Sequence, residues 1–353
     1  MIDRMSPYND IAIPIAWPDQ TARGDEKWMA FLKKMGIVKN LNFKVGHAAI
    51  VLIRRADGSC HYFDFGRYIT PRGYGRARSA RFDPRLRLET VARFDQMGAL
   101  QNLEELLEEL TNKSEATHGA GRLLCAVASQ ISFVHAARYA EQVVDRGPIL
   151  YGAIAPDNNS CSRYVAQILV HGMKNGDRRI RKIYYPESIK ASPTSNVINA
   201  IANREVFCYH KNSLEKWSMS RWGSLKFQLG LLKPNFFRQD SASLPDDGIL
   251  GFMNEPVRPI ALPDDAHWLG GLGEGCWFHF NQDEQGYCIT RYNHLGTVDY
   301  QVYGAHEQRF NPDLGRPHFS YDVHYERHTL LFGTRMVTFK TQNDGPIQFR
   351  QSI

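Results

Sequence analysis

Asp57-Gly58 lies between two runs rich in β-branched and aromatic residues, VGHAAIVLI at 45–53 and CHYFDF at 60–65. An Asp-Gly pair tolerates the positive φ angles that a tight hairpin turn demands, so this pattern predicts a β-hairpin. No other local signal constrains the chain as much. It commits two strands to antiparallel pairing and sends alternate residues to opposite faces. With 57 and 58 at the centre of the turn, paired positions sum to about 115, give or take one or two. Residue 49 then lies near 65 or 66. His47, Ala49 and Val51 share one face, and the register permits Tyr62 and Asp64 to share it with them. His61 has the opposite parity to Asp64, so only one of the two can lie beside His47.

Around the hairpin the chain reads as α+β. Apolar spacing predicts a short helix over 26–38, an amphipathic helix over 100–111 and a longer buried helix over 121–145. PILYGAIA at 148–155 reads as a core strand. Asn158, Asn159 and Ser160 are all good N-caps, which predicts a helix starting near Cys161. Residues 67–88 are irregular and arginine-rich. From about 259 the texture changes to short aromatic segments separated by Gly and Asn turns, the pattern of a small antiparallel β-domain, barrel or sandwich. The expected organisation is a catalytic domain at 1–188, a partly helical connecting region at 189–258 and a β-rich domain at 259–353. Trp268, Trp277 and Phe280 are expected to fill the core of the last.

Composition narrows the function classes. The chain has 353 residues, and no stretch approaches the apolar length of a transmembrane helix. Its first residues, MIDRMSPYND, lack an apolar signal core, so a cytoplasmic location is expected, with export of a processed form left open. With 43 Lys+Arg against 37 Asp+Glu, the net charge of +6 is too small to point to nucleic acid. The six cysteines form no C-x-x-C pair, so neither a zinc ribbon nor a redox motif is supported, and most read as buried thiols. His318, His324 and His328 fall in a segment that reads as strand, which would hold 324 and 328 about 13 Å apart. No metal or cofactor is expected.

Three residues stand where a cysteine hydrolase needs them. Cys161 opens a predicted helix, whose dipole and free N–H groups stabilise a thiolate and can hold an oxyanion. His47 starts a strand just after Gly46, and Asp64 lies on the neighbouring strand. In such a triad Cys161 attacks a carbonyl, His47 moves the proton and Asp64 orients the imidazole.

SCSRYV at 160–165 resembles the nucleophile motif of the NlpC-type papain-like hydrolases, with Ser160 and Arg163 where that family has Asp and Gly. VGHAAIVL at 45–52 resembles their histidine strand. Here the histidine precedes the cysteine, as in the circularly permuted branch that includes the lecithin:retinol acyltransferase-like proteins. The resemblance spans roughly residues 10–185. It implies a permuted papain-like fold with Cys161 as nucleophile, His47 as base and Asp64 as orienting residue, His61 being the alternative to Asp64. It implies acyl transfer to water from an amide of a peptide or peptidoglycan-like substrate. A thioesterase or lipid acyltransferase with a lipid-like substrate would use the same residues, and a non-catalytic binding protein could keep the fold. Arg67, Arg72 and Tyr164 are the expected substrate contacts. Arg76, Arg78, Arg81, Arg85 and Arg87 complete a loop that holds an anionic group or is simply solvated.

Overall fold

The structure, a computed structural model, describes residues 7–23, 27–152, 155, 157–188, 190–244, 252–282, 286–304 and 317–341. The hairpin forms from the strands His47–Ile53 and Cys60–Gly66, with Ala49 opposite Asp64, Val51 opposite Tyr62 and Leu52 opposite His61. Asp64 therefore shares the His47 face and His61 does not. The turn is longer than a two-residue one. Arg54 N donates to Ser59 O and Gly58 N to Arg54 O, so residues 55–58 close it. Gly58 takes the left-handed conformation at the end, φ 71°.

This hairpin lies in the middle of a nine-stranded antiparallel sheet. Its strands run in the order Ser213–Ser218, Glu205–His210, Leu123–Cys125, Asp10–Trp17, His47–Ile53, Cys60–Gly66, Tyr74–Arg78 and Ile149–Leu150, and Ala128–Ile131 also pairs with Asp10–Trp17. Both faces are covered. Ala48, Ile50 and Leu52 pack beneath the helices Phe133–Asp145 and Cys161–Gly172. Ala49, Val51 and Ile53 pack against Leu103, Leu106, Leu107 and Leu110 of the helix Leu103–Asn112, the stripe its spacing predicts.

Several elements differ from the sequence expectation. The long helix at 121–145 is two short strands followed by a helix beginning at Phe133, which Ser132 caps by accepting from His135 N. Leu123, Leu124 and Cys125 are buried on both faces, and such a run carries no periodicity to separate strand from helix. The expected core strand at 148–155 shrinks to Ile149–Leu150 at the sheet edge, with Leu150 about half exposed, and residues 153 and 154 lie outside the described residues. The stretch expected to connect domains instead supplies the two outermost strands on the opposite side of the sheet, at 205–218, and the helices Pro193–Asn199 and Arg221–Phe236.

The C-terminal part is two open antiparallel sheets, not a closed barrel. One comprises His267–Leu269, Cys276–Gln282, Tyr287–Tyr292 and Val298–Gly304, and the other His318–His324, Arg327–Phe332 and Arg335–Lys340. Phe278 meets Phe319, and Phe280 meets Phe339, across the gap between them. Trp277 is fully buried and packs edge-to-face with Trp268. His324 and His328 stand on two strands joined by a turn, not along one strand, because the chain reverses at Tyr325 and Glu326. Burial, with nearby arginines, holds both imidazoles neutral, each pushed down to about 3.

Candidate active site

The helix Cys161–Gly172 begins where the sequence places it. Ser160 is the N-cap, and its Oγ accepts from Arg163 N at 3.3 Å. Tyr164 N donates to Ser160 O. The N–H groups of Cys161 and Ser162 therefore stand at the mouth of the helix, where no intrahelical acceptor exists.

His47 is the first residue of its strand. Its ring hangs at the end of the sheet, stacked on Trp17 at 5.7 Å and 13° and edge-on to Tyr68. Gly46 makes this placement feasible. It is left-handed at φ 76°, and a Cβ there would meet Trp17 O at 3.0 Å and Pro18 Cα at 3.2 Å. The close approach at this glycine comes from the chain's own backbone. The His47 ring and the Ala48 amide lie close enough to the Cys161 thiol to bring it below its ordinary value, and the Cys161 Sγ is 3.8 Å from the Ser162 hydroxyl. The His47 Nε2 lies 3.3 Å from Asp64 Oδ2 and 3.4 Å from the Tyr68 hydroxyl.

Asp64 is fully buried with its acceptor capacity well used. Tyr62 donates to it at 3.0 Å, and Arg78 donates Nε to Oδ1 at 2.9 Å and Nη2 to Oδ2 at 2.6 Å. Burial raises the Asp64 carboxyl, but the Arg78 charge and the bonds from His47 and Arg78 outweigh it and hold it down at about 2. Burial likewise works against a charged His47. The Asp64 carboxylate, bonded to the ring, and the nearby Cys161 sulfur reverse that and raise the imidazole to about 9. For Cys161, burial pushes the thiol up, while the nearby His47 ring and its charge, the Ser162 hydroxyl and the Ala48 amide bring it below its ordinary value. The arrangement favours a thiolate–imidazolium pair braced by a permanently ionised carboxylate. The other buried thiols behave oppositely: burial pushes Cys60 and Cys208 up to about 11.

The structure thus brings Cys161, His47 and Asp64 together. His61 faces the other side of the sheet, edge-on to Phe133 at 4.9 Å. Of the expected substrate contacts, Tyr164 is ruled out by its burial. Tyr164 is fully buried and its hydroxyl donates to Ala140 O at 2.9 Å, so it braces two helices and cannot reach a substrate. Arg67 lies over the Tyr151 ring at 4.6 Å, and Arg72 is exposed. Most of the arginine segment is neither a solvated loop nor an open anion site. Arg76 donates to the carbonyls of Val323 and Tyr321, Arg81 bonds Glu326 and Glu141, and Arg85 bonds Asp83 and Glu274. These arginines join the large sheet to the C-terminal sheets. Sequence reasoning overlooked Arg78 as the clamp on Asp64. It also overlooked Tyr62 as a donor, although alternation had already placed Tyr62 on that face.

Among the described residues, Glu274, Cys276 and Asp299 are close enough to suggest a metal, with ligand atoms within 4.8 Å of one another. Arg291 already serves as their cation. Its Nε lies 3.2 Å from Cys276 Sγ and 3.0 Å from Asp299 Oδ2, and Nη2 donates to Glu274 at 3.1 Å.

Residues 12–178, which include all three site residues, match a family model described as type VI secretion system effector TseH-like. Residues 266–342 match a model described as the DUF6695 C-terminal domain. The crystal structure of the type VI secretion system effector TseH aligns at 18% identity and a TM-score of 0.41, covering 60% of this chain and 99% of that one. No curated protein matches.

Proposed function

We propose that this chain is a cysteine amidase that cleaves a peptide-type amide through a Cys161 thioester. One observation carries the reading: a single imidazole stands beside the thiol of a helix's first residue and bonds a clamped, buried carboxylate. The Cys161 thiolate attacks the amide carbonyl carbon, and the N–H groups of Cys161 and Ser162 receive the oxyanion. With Nε2 turned to Asp64, Nδ1 is the nitrogen that handles the thiol proton. That proton passes to the departing amine as the C–N bond breaks and the thioester forms. Water, deprotonated by His47, then attacks the thioester, releasing a carboxylic acid and restoring the thiol.

The likeness of residues 12–178 to TseH-like effectors favours a peptidoglycan-type stem peptide as substrate and delivery out of the cell that makes the protein. Cytoplasmic residence then describes only where it is synthesised. The order of histidine before cysteine supports the permuted papain-like arrangement, with a hydrolase unit that runs past residue 188 to include the strands at 205–218 of the same sheet. In the test, purified protein is incubated with cross-linked peptidoglycan and the products are analysed by mass spectrometry. The expected result is new free amine and carboxyl ends within the stem peptides, together with a transient mass adduct on the Cys161 peptide after acid quench. Intact stem peptides and no adduct would defeat the substrate assignment.

A further inference from the structure

Residues 270–275, GGLGEG, hold four glycines around a single acidic residue, Glu274. In the structure this segment is a strap from the C-terminal part laid on residues 67–69, where it pairs with Tyr68, whose hydroxyl reaches His47. Gly273 N donates to Arg67 O and Ile69 N to Glu274 O, each at 2.8 Å. The glycines are what let it lie so close. A Cβ on Gly271 would sit 2.6 Å from Ile69 N and 2.8 Å from Arg67 O, and one on Gly273 would sit 3.0 Å from the Tyr68 ring. Ile69 is held at φ 48°, a left-handed conformation that a β-branched residue keeps only when its surroundings enforce it, and the Glu274 carbonyl is part of that enforcement.

The strap delivers one buried carboxylate. Glu274 Oε1 accepts from Arg85 at 2.7 Å and Arg291 at 3.1 Å. Oε2 faces Arg78 Nη1 at 3.7 Å and His118 Nε2 at 3.6 Å. Arg78 is the residue whose other nitrogens clamp Asp64, and its guanidinium lies 3.6 Å from the centre of the Tyr68 ring. Tyr68 in turn stacks on His118 and places its hydroxyl against His47. The titratable and charged groups facing His47 are Cys161, Asp64, Tyr62, Tyr68 and Arg78. Behind them stand His118 and Glu274, then Arg85 and Arg291 with Asp83 and Asp299.

We propose that the 270–275 strap makes Glu274 a positioning residue for the Cys161–His47 pair, so that the C-terminal part completes the active site. The proposal rests on the hydrolase reading. Glu274 offsets the buried Arg78, Arg85 and Arg291 and holds the first of them against Asp64. Without its charge, the three guanidiniums raise the positive potential around His47 and disfavour the imidazolium.

The test is the pH profile of Cys161 alkylation by iodoacetate in the full chain. An anionic reagent of this kind reacts best when the thiolate and the imidazolium are both present. The wild type should lose rate as His47 deprotonates at about 9. In Glu274→Gln that alkaline edge should move down by about one pH unit, and Glu274→Asp should restore much of it. Gly271→Ala, which displaces the strap but removes no charge, should move the edge in the same direction. Tyr300→Phe, which loses a bond to His328 in the same C-terminal part, should lower the melting temperature and leave the edge in place. If Glu274→Gln folds and keeps the wild-type edge, the positioning role is overturned while the hydrolase reading stands. If the wild type itself shows no alkaline edge, the hydrolase reading falls and this inference with it.

Discussion

Replacing Cys161 with alanine should abolish amide cleavage while leaving the fold intact. The side chain is small and partly exposed, so its loss should cost no more than about 1 kcal/mol. The catalytic loss should be on the order of 10⁴- to 10⁶-fold, because no other described group is placed to form the acyl intermediate. His47→Ala should come close to the same floor, and the double variant should be scarcely worse than either single one, since the two act as a unit. Turnover of a stem-peptide substrate, with circular dichroism as the folding control, checks this. A Cys161→Ala protein that keeps a tenth of wild-type activity would exclude the thioester route.

Arg78→Met should have the largest effect on stability. Arg78 and Asp64 are both fully buried and joined by two short bonds. Removing the cation strands a buried carboxylate, which typically costs about 3–5 kcal/mol. The stranded Asp64 would then resist ionisation, and His47 would lose the partner that keeps its imidazolium charged. Activity should fall even under conditions where the variant stays folded. Adding Asp64→Asn to Arg78→Met should recover part of the stability, because the uncompensated charge is gone, but no activity. Urea unfolding of the two single variants and the double variant measures this coupling directly. Additive losses would show that the pair is not the clamp described here.

The parts of this site that could be read from sequence are those built by local rules. Alternation along the hairpin put Asp64 and Tyr62 on the His47 face and His61 on the other, even though the turn itself is longer than Asp57-Gly58 suggested. The Asn158–Ser160 cap signal put Cys161 at a helix start, and Ser160 is the cap. What escaped notice depends on contacts between distant parts of the chain. Arg78 reads as one of seven arginines in an irregular segment, and only the pairing of Cys60–Gly66 with Tyr74–Arg78 sets it opposite Asp64. Glu274 lies far along the chain, and nothing in its neighbourhood except the glycines hints at a close backbone approach. The helix wrongly expected over 121–145 fails for the same reason. A run buried on both faces takes its conformation from its sheet partners, here Asp10–Trp17 and Glu205–His210.

The central claim is that Cys161 is a thiolate held by His47 within an acyl-transfer site. The most direct measurement is the rate of iodoacetate alkylation at Cys161 against pH, followed by peptide mass spectrometry, in the wild type and in His47→Ala. The wild type should give a two-edged profile. Its acid edge should lie below the ordinary thiol range, because the His47 charge stabilises the thiolate, and its alkaline edge should lie at about 9, where the imidazole loses its proton. His47→Ala should collapse this to a single rise at ordinary thiol pH. A wild-type Cys161 that reacts no faster than the partly exposed Cys288, with one edge unmoved by His47→Ala, would contradict the account.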